Sequence, residues 1–484
     1  MLFVQRGMPG DTVRARVTRV KRSFAEAVAE QVLATGPDTI EAPCPYFGTC
    51  GGCAWQSLDY TAQLAAKQSQ VLESIQRIGG IADPPLEPII PAIDQFGYRN
   101  KMEYTFTAIF ADDDELEIGE STVGLGFHRA GRWDQIVGVD PCLIADPRGV
   151  VAHKTTLDWA NEHNLKVYDR DTGKGMLRNL VVRVGRNTGE VVAHLVTGPT
   201  PKKLAELVDD LTVNVPGLVG VLHSTNSGSA EVASGDDGAA PTVLWGREYF
   251  EETLGGERLR VRPGSFLQTN TQMADRLYEL VREVAVLRPN DVAFDLYCGI
   301  GSITLMLARH VERVVGVEVV QEAIDCAIEN AELNGVENIE FQVGNVRPIL
   351  KFAKGVWPEP SIVVVDPPRS GLVEKVVRRI CEFRPERVIY VSCNPATFAG
   401  NLPWFRENGY ELVFVQAVDQ FPHTHHVELV ARLEPIPGWV PPPSQKATAE
   451  RLAPDERPAP VVGPPGDTRS GDPSEVVGEG EIES

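Results

Sequence analysis

The stretch Val292-Ala293-Phe294-Asp295-Leu296-Tyr297-Cys298-Gly299-Ile300-Gly301-Ser302 decides the fold class of this chain. An apolar run ends in an acid and opens into a glycine-containing loop, and a helix-like pattern follows from Ser302. Glycines at such a turn let the backbone approach a ligand closely at the carboxyl edge of a parallel sheet. The stretch therefore predicts a buried strand, a ligand-binding loop and a helix, in that order.

Around this loop, residues 266–436 alternate short apolar segments with amphipathic ones. The predicted strands are 292–297, 313–319, 339–343, 362–366 and 388–392, followed by a helix at 394–408 and a hairpin-like pair in 410–434. Regular alternation of strands and helices predicts a parallel sheet that is covered on both faces. The predicted fold class is α/β, with a doubly wound, Rossmann-like domain.

An acid at the end of the second predicted strand suggests what the loop binds. Glu318 stands where a carboxylate suits hydrogen bonding to ribose hydroxyls. The spacing also suits a dinucleotide enzyme, but the loop lacks the third glycine of Gly-x-Gly-x-x-Gly. The alternative is that the glycines serve only a tight turn.

Two more predicted strands end in residues that are able to take part in catalysis. One runs into Asp366-Pro367-Pro368-Arg369, and the other runs into Ser392-Cys393-Asn394-Pro395. A thiol at the start of a helix feels the positive end of the helix dipole, which favours the thiolate. A cysteine at a strand end is ordinarily a buried apolar residue, but the helix start and the nearby Asp-Pro-Pro-Arg segment favour a nucleophile.

A second group of cysteines lies far from Cys393 in the sequence. Cys44, Cys50 and Cys53 are flanked by glycine and proline, and Cys142 follows farther along. In a long chain without a secretory signal, such cysteines are more typical of metal binding than of disulfides. Four thiolates suit a zinc or an iron–sulfur centre, and their spacing alone does not separate the two.

Length and charge set further bounds on the protein. A chain of 484 residues is expected to form two or three domains. It contains no apolar run of eighteen residues, so we expect a cytoplasmic protein without a membrane partner. The net charge of −21 disfavours nucleic-acid binding overall. Basic side chains are nevertheless concentrated in residues 1–22, and 13–17 alternate as in a strand with a basic outer face.

Taken together, these motifs resemble those of the bacterial RNA uracil-5 methyltransferases, particularly the 23S ribosomal RNA type, over about residues 1–434. Residues 265–270 and 424–428 match the same family. The resemblance implies S-adenosylmethionine as cofactor and an RNA substrate. It also implies Cys393 as the nucleophile, Glu428 as the base and Phe266 near a flipped uracil. The implied cofactor-binding residues are Gln268, Tyr297, Glu318 and Asp366.

The resemblance also implies an organisation for the whole chain. It predicts a partial TRAM-like β-barrel at 1–40, a mixed α+β central domain at 41–265 and a class I methyltransferase domain at 266–436. Residues 437–484, rich in proline and glycine, are predicted to be disordered. A [4Fe–4S] cluster is the implied centre at Cys44, Cys50, Cys53 and Cys142.

We therefore expect a monomeric enzyme that methylates carbon 5 of uracil, with 23S ribosomal RNA as its substrate. Three alternatives stay open on the sequence alone. The substrate could be transfer RNA, the target base could be cytosine, or the chain could be a non-catalytic RNA-binding assembly factor. For Glu428, the alternative interpretation is a surface acid on a terminal strand.

Overall fold

The computed structural model describes residues 2–440 except for 6, 23, 111–120, 170–171, 229–234 and 237–238. The acidic segment 111–120 and almost all of the tail predicted to be disordered lie outside the described residues. Within the described residues, none of the helices has the length and apolar character needed to cross a membrane.

The first elements form a small sheet in which an antiparallel pair is extended by one parallel strand. Its strands are β1 (Leu2–Gln5), β2 (Thr12–Val20) and β3 (Ala25–Ala34), in the order β1-β3-β2. Arg16 projects from β2 and pairs with Glu30 of β3 at the surface. A loop that carries Cys44, Cys50 and Cys53 then leads to helix α1 (Tyr60–Arg77) and strand β4 (Leu86–Ile90).

A seven-stranded sheet with two helices on one face occupies the middle of the chain. Its strands are β5 (Lys101–Phe110), β6 (Ser121–Arg129), β7 (Arg132–Gly138), β8 (Leu177–Val184), β9 (Val191–Thr197), β10 (Leu218–Thr225) and β11 (Thr242–Gly246). They lie in the order β11-β10-β9-β8-β5-β6-β7. Helices α2 (Pro147–Glu162) and α3 (Leu204–Asn214) bury Trp159 and Leu207 against this sheet. A separate hairpin follows, formed by β12 (Phe250–Leu254) and β13 (Glu257–Val261).

The last and largest sheet has eight strands. Along the chain come α4 (Thr271–Ala285), β14 (Val292–Leu296), α5 (Ser302–Ala308), β15 (Arg313–Glu318), α6 (Gln321–Leu333), β16 (Ile339–Val343), α7 (Val346–Ala353), β17 (Ile362–Val365), α8 (Glu374–Glu382), β18 (Arg387–Ser392), α9 (Pro395–Glu407), β19 (Tyr410–Val418) and β20 (Glu428–Pro435). The order is β16-β15-β14-β17-β18-β20-β19-β4. The five strands from β16 to β18 are parallel, and β20 runs antiparallel to both neighbours.

The predicted α/β class with a doubly wound sheet is confirmed. Apolar residues on the two faces of the parallel strands pack into two different clusters, one containing Val364 and the other containing Val363. Burial on both faces explains why these strands have continuous apolar sequences.

The eighth strand, β4, comes from far upstream in the chain. It pairs in parallel with β19, with Leu86 opposite Val415. Helix α1 lies against the same sheet, since its buried Val71 and Ile75 belong to the core that includes Tyr390. The eight-stranded sheet thus takes one strand and one covering helix from the range 41–265. The proposed domain boundaries stay a prediction.

Candidate active site

A cavity of about 1020 Å³ opens at the carboxyl edge of the parallel strands. Its lining includes all ten residues that the sequence analysis predicts for cofactor binding, catalysis and metal binding. They are Cys44, Cys50, Cys53, Cys142, Gln268, Tyr297, Glu318, Asp366, Cys393 and Glu428. Phe266 also lines the cavity, with 69% of its surface exposed. Residues that are far apart in sequence thus share one site, while their individual roles stay predictions.

The loop after β14 is shaped by its backbone conformation. Tyr297 and Gly299 have φ angles of 69° and 55°, and Gly301 has a φ of 82°. A side chain at Gly301 would also place its Cβ 3.1 Å from the Cβ of Ala327. Glycine at 301 therefore serves both the left-handed turn and the close packing of α5 on α6.

Glu318 closes this loop from the end of β15. Its carboxylate accepts hydrogen bonds from the backbone N–H groups of Gly299 (3.2 Å), Val319 (2.7 Å) and Val320 (3.0 Å). These bonds hold the carboxylate at the edge of the cavity, beside the glycine loop. The position is the one expected for a carboxylate that binds ribose hydroxyls.

Asp295 was not assigned a role from the sequence, although it lies within the stretch that defines the fold. It is 1% exposed, and burial followed by the charge of Glu318 raises its pKa to about 7. One carboxylate oxygen accepts a hydrogen bond from Thr304 Oγ1 at 2.6 Å, whereas Oδ1 has no partner among the described residues. A cavity of about 40 Å³ beside it is also lined by Gln268 and Tyr297. A buried acceptor without a partner fits a cationic ligand group.

Cys393 lies between the end of β18 and the start of α9. Asn394 caps that helix, because its side chain accepts hydrogen bonds from the N–H groups of Ala396 (3.1 Å) and Thr397 (3.4 Å). The predicted helix start is therefore present, but other influences act on the pKa of the thiol as well. Burial raises the pKa of Cys393, and the charges of Glu428 and Asp366 raise it further.

Glu428 is the first residue of β20 and is only 3% exposed, so the interpretation as a surface acid is wrong. The antiparallel register pairs Ser392 with Leu429, which places Cys393 and Glu428 next to each other at the end of this ladder. Burial raises the pKa of Glu428 to about 8, the charge of Asp366 raises it as well, and Arg369 lowers it. The carboxyl group is thus a stronger base than an exposed glutamate.

Two more charged residues lie near this pair. Asp366 follows β17, and burial together with the charge of Asp295 raises its pKa to about 7. Arg369 is exposed at the same cavity, and its charge lowers the pKa of both Cys393 and Glu428. Arg369 is therefore the basic group that offsets the acids around the thiol.

The four upstream cysteines lie along one side of the cavity and form no disulfides. Burial raises the pKa of Cys53 to about 12, and the charges of Cys142, Cys50 and Cys44 contribute to the shift. However, no group of three or more Cys, His, Asp or Glu side chains is arranged to hold a metal ion within the described part of the chain. The cysteines thus face a common space without forming a closed ligand set.

Fold and site define a class I, S-adenosylmethionine-dependent methyltransferase, and comparison with known proteins agrees. The family model described as tRNA (Uracil-5-)-methyltransferase matches residues 241–346 and 358–434. An RNA methyltransferase of Caldanaerobacter subterraneus subsp. tengcongensis is 41% identical over 439 residues, which cover 90% of this chain and 93% of that protein. An RNA methyltransferase of Chlorobaculum tepidum is 36% identical over a match that covers 88% of this chain and 89% of that protein. This chain belongs to the RNA uracil-5 methyltransferase family.

A solved structure extends this similarity to the fold. It is the Pyrococcus abyssi tRNA (uracil-54, C5)-methyltransferase in complex with S-adenosyl-L-homocysteine. The two chains are 29% identical with a TM-score of 0.68, and the match covers 89% of this chain and 95% of that one. The prediction of an S-adenosylmethionine-dependent RNA methyltransferase is confirmed.

Proposed function

We propose that this enzyme methylates carbon 5 of a uracil in 23S ribosomal RNA through a transient covalent bond to Cys393. The observation that carries the mechanism is the placement of Cys393 and Glu428 side by side in one cavity. Carbon 5 of uracil is a poor nucleophile, so it needs activation before it can accept a methyl group. A thiol that adds to carbon 6 provides that activation.

The proposed reaction has two halves. First, the thiolate of Cys393 adds to carbon 6, and the electron pair displaced from the ring double bond makes carbon 5 nucleophilic. S-adenosylmethionine would supply the electrophilic methyl group that carbon 5 takes up, with the sulfur–methyl bond broken and S-adenosylhomocysteine as the leaving product. Second, Glu428 removes the proton from carbon 5, the bond between carbon 6 and sulfur breaks, and the thiolate of Cys393 is released. The target base has to leave its stack to reach the cavity.

Two variants test the two halves separately. Cys393→Ala removes the nucleophile and is expected to abolish methyl transfer while cofactor affinity stays within a few-fold. Glu428→Gln keeps the nucleophile and is expected to accumulate a methylated RNA–protein adduct, seen as a heat-stable shift on a denaturing gel. Turnover by Cys393→Ala would rule out the covalent mechanism, and loss of activity without adduct in Glu428→Gln would move the base to another residue.

For the cofactor, we propose binding by Gln268, Tyr297, Glu318 and Asp366, with Asp295 as an added acceptor. The unpartnered oxygen of Asp295 supports this set, because S-adenosylmethionine carries a cationic ammonium group at its amino-acid end. Glu318 lies beside the glycine loop, where it suits the ribose.

For the upstream cysteines, we propose that Cys44, Cys50, Cys53 and Cys142 hold a [4Fe–4S] cluster. Four soft thiolates are the donors that iron–sulfur and zinc centres prefer, and the mutual influence of these thiols on the pKa of Cys53 supports their proximity. The test is the iron, sulfide and zinc content of anaerobically purified protein, with Cys53→Ser compared with the buried Cys381→Ser. Zinc without iron would replace the cluster with a zinc centre, and absence of both metals would contradict the proposal.

The preference for ribosomal RNA is supported by the cysteine motif, whereas transfer RNA is favoured by the similarity to the Pyrococcus enzyme. Mapping 5-methyluridine in ribosomal and transfer RNA from cells with and without the gene separates the two. Loss of the modification from transfer RNA alone would contradict the ribosomal assignment.

A further inference from the structure

The segment 419–423, which precedes the strand that starts with Glu428, is held by residues from the N-terminal half of the chain. Three consecutive carbonyl groups in it each accept a hydrogen bond from that half. Phe421 O accepts from Lys67 Nζ (3.0 Å), Pro422 O accepts from Tyr98 Oη (3.1 Å), and His423 O accepts from the N–H groups of Ala54 and Trp55 (both 2.9 Å). Lys67 also forms an ion pair of 2.5 Å with Asp419, and both side chains are fully buried. The segment is therefore held to a large extent by the N-terminal half of the chain.

His423 is the strained point of this segment. Its φ of 65° lies in the left-handed region, which non-glycine residues adopt at a cost. Such a conformation persists only where the surroundings hold it in place. It lies five residues before Glu428, in the segment that leads into β20.

Gln63 on α1 is the side chain that holds His423 most directly. Its Oε1 accepts a hydrogen bond from the N–H of His423 at 2.9 Å, and its Nε2 lies 3.2 Å from His423 Nδ1. The same Nε2 lies within hydrogen-bonding distance of the carbonyl groups of Trp55 (3.0 Å) and Leu58 (2.8 Å), next to the cysteine loop. The side chain of Gln63 is 1% exposed, so water does not compete for these hydrogen bonds. The amide thus connects the cysteine loop to His423.

Cys393 is anchored in a different way. Ser392 Oγ donates a hydrogen bond to Asn394 O (3.1 Å), and Asn394 Nδ2 donates one to Arg369 O (3.3 Å), so these bonds join the segments that follow β17 and β18. Glu428 also pairs with Val418 in this sheet, but the segment that leads to it is held by Gln63, whose hydrogen bonds go to Trp55, Leu58 and His423. We therefore expect a change at Gln63 to affect the position of Glu428 more than that of Cys393. A substitution at Gln63 is therefore expected to affect the elimination half of the reaction, which uses Glu428, more than the addition half, which uses Cys393.

We infer that Gln63 is a positioning residue for the elimination half of the reaction. By holding His423 in its left-handed conformation, Gln63 keeps Glu428 directed at the carbon-5 proton. The inference rests on the proposed roles of Cys393 and Glu428. It gives the cysteine loop a further task, namely to support the catalytic base.

The test compares Gln63→Met with Gln76→Met in the full-length protein. Gln76 lies on the same helix, is exposed, and bonds Ala82 O at 2.9 Å, away from the cavity. Each variant is incubated with RNA and S-adenosylmethionine, and the adduct fraction, kcat, affinity for S-adenosylhomocysteine and melting temperature are measured. For Gln63→Met we expect kcat to fall by up to about 100-fold, the loss that a misplacement of a catalytic group by about 1 Å can cause. We also expect the adduct to accumulate and the affinity for S-adenosylhomocysteine to stay unchanged.

Gln76→Met should match the wild type, and Glu428→Gln serves as the reference for accumulated adduct. If Glu428→Gln accumulates adduct and Gln63→Met does not, the inference is wrong and the proposed mechanism stands. If neither accumulates adduct, the proposed base is wrong and the inference falls with it. Should Gln63→Met fail to fold, Gln63→Asn replaces it, because it keeps the amide but is too short to reach His423, and the same outcomes apply.

Discussion

The charge of Glu428 raises the pKa of the Cys393 thiol, and the two side chains are neighbours at the edge of the catalytic sheet. Two anions side by side repel each other, so the thiolate and the carboxylate are not favoured at the same time. The site therefore tends to hold one proton between its nucleophile and its base. Arg369 acts in the opposite direction, because its charge lowers both pKa values.

This coupling predicts opposite effects of two substitutions on thiol reactivity. Glu428→Gln should lower the pKa of Cys393, and Arg369→Met should raise it. The measurement is the rate at which iodoacetamide alkylates Cys393 as a function of pH, followed by mass spectrometry of the Cys393 peptide. The peptide of the buried Cys381 serves as the internal reference. The same pH midpoint in both variants and in the wild type would show that the two groups do not interact.

A second prediction concerns stability and pH. The pKa of Glu428 rises from 4.5 to about 8 on folding, so the folded state binds the proton more tightly than the unfolded state. The resulting stabilisation is complete below the unfolded pKa and is lost as pH rises through the folded pKa, at roughly 1.4 kcal/mol per pKa unit. The difference in melting temperature between Glu428→Gln and the wild type should therefore shift in favour of the variant as the pH is raised from 5 to 9.

The control for this experiment is Glu337→Gln, which neutralises an exposed carboxylate. Its melting temperature relative to the wild type should stay nearly constant over the same range. If the melting temperature of Glu428→Gln relative to the wild type instead increased as the pH falls, the result would contradict a raised pKa of Glu428.

Asp295 gives a prediction for cofactor affinity. Asp295→Asn keeps the size of the side chain but removes the charge that a cationic ligand group would meet. Because a hydrogen bond to a charged group contributes about 1.5–3 kcal/mol, affinity for S-adenosylhomocysteine should fall about 10- to 150-fold. The wild-type affinity should improve as pH rises through about 7, where Asp295 loses its proton, whereas the variant should show no such dependence. Calorimetric titration at several pH values measures both effects, and equal affinity of the two proteins above pH 8 would exclude the contact.

Phe266 gives a prediction for RNA binding. Its ring is largely exposed at the cavity, so Phe266→Ala should leave the melting temperature nearly unchanged. Stacking of a base on an aromatic ring contributes about 1–3 kcal/mol, which corresponds to an increase of KM for RNA of about 5- to 150-fold. Phe352→Ala on α7 is the matched control, because Phe352 is partly exposed and does not line the cavity. An unchanged KM for RNA in Phe266→Ala would show that the ring does not contact the substrate.

Much of the catalytic sheet could be predicted from sequence because its signals are local. The patterns that predict a strand at 292–297 and a helix at 394–408 each depend on neighbouring residues, and the observed β14 and α9 differ from these bounds by at most one residue at each end. The burial of Glu428 could not be predicted in this way. It depends on the register of β20 against β18, which the local pattern around residue 428 does not reveal.

The pKa of Cys393 shows a second limit of prediction from the sequence. The local motif correctly predicted a helix start next to the thiol, and the helix dipole favours a thiolate. The pKa of Cys393 is nevertheless raised, because burial and the charges of Glu428 and Asp366 disfavour the thiolate. Both acids come from other strands, so their influence on the thiol can be seen only once the sheet is assembled.

The position of β4 at the edge of the catalytic sheet has a consequence for synthesis of the chain. β4 leaves the ribosome early, whereas its partner β19 is made near residue 415. At about 5–20 residues per second, the interval between the two strands is on the order of tens of seconds. During that time Leu86, Ile89 and Ile90 can pack against α1, which is made just before them, but they lack the partner strand β19. The active site therefore becomes complete only late in translation, and the nascent chain carries an unpaired strand until then.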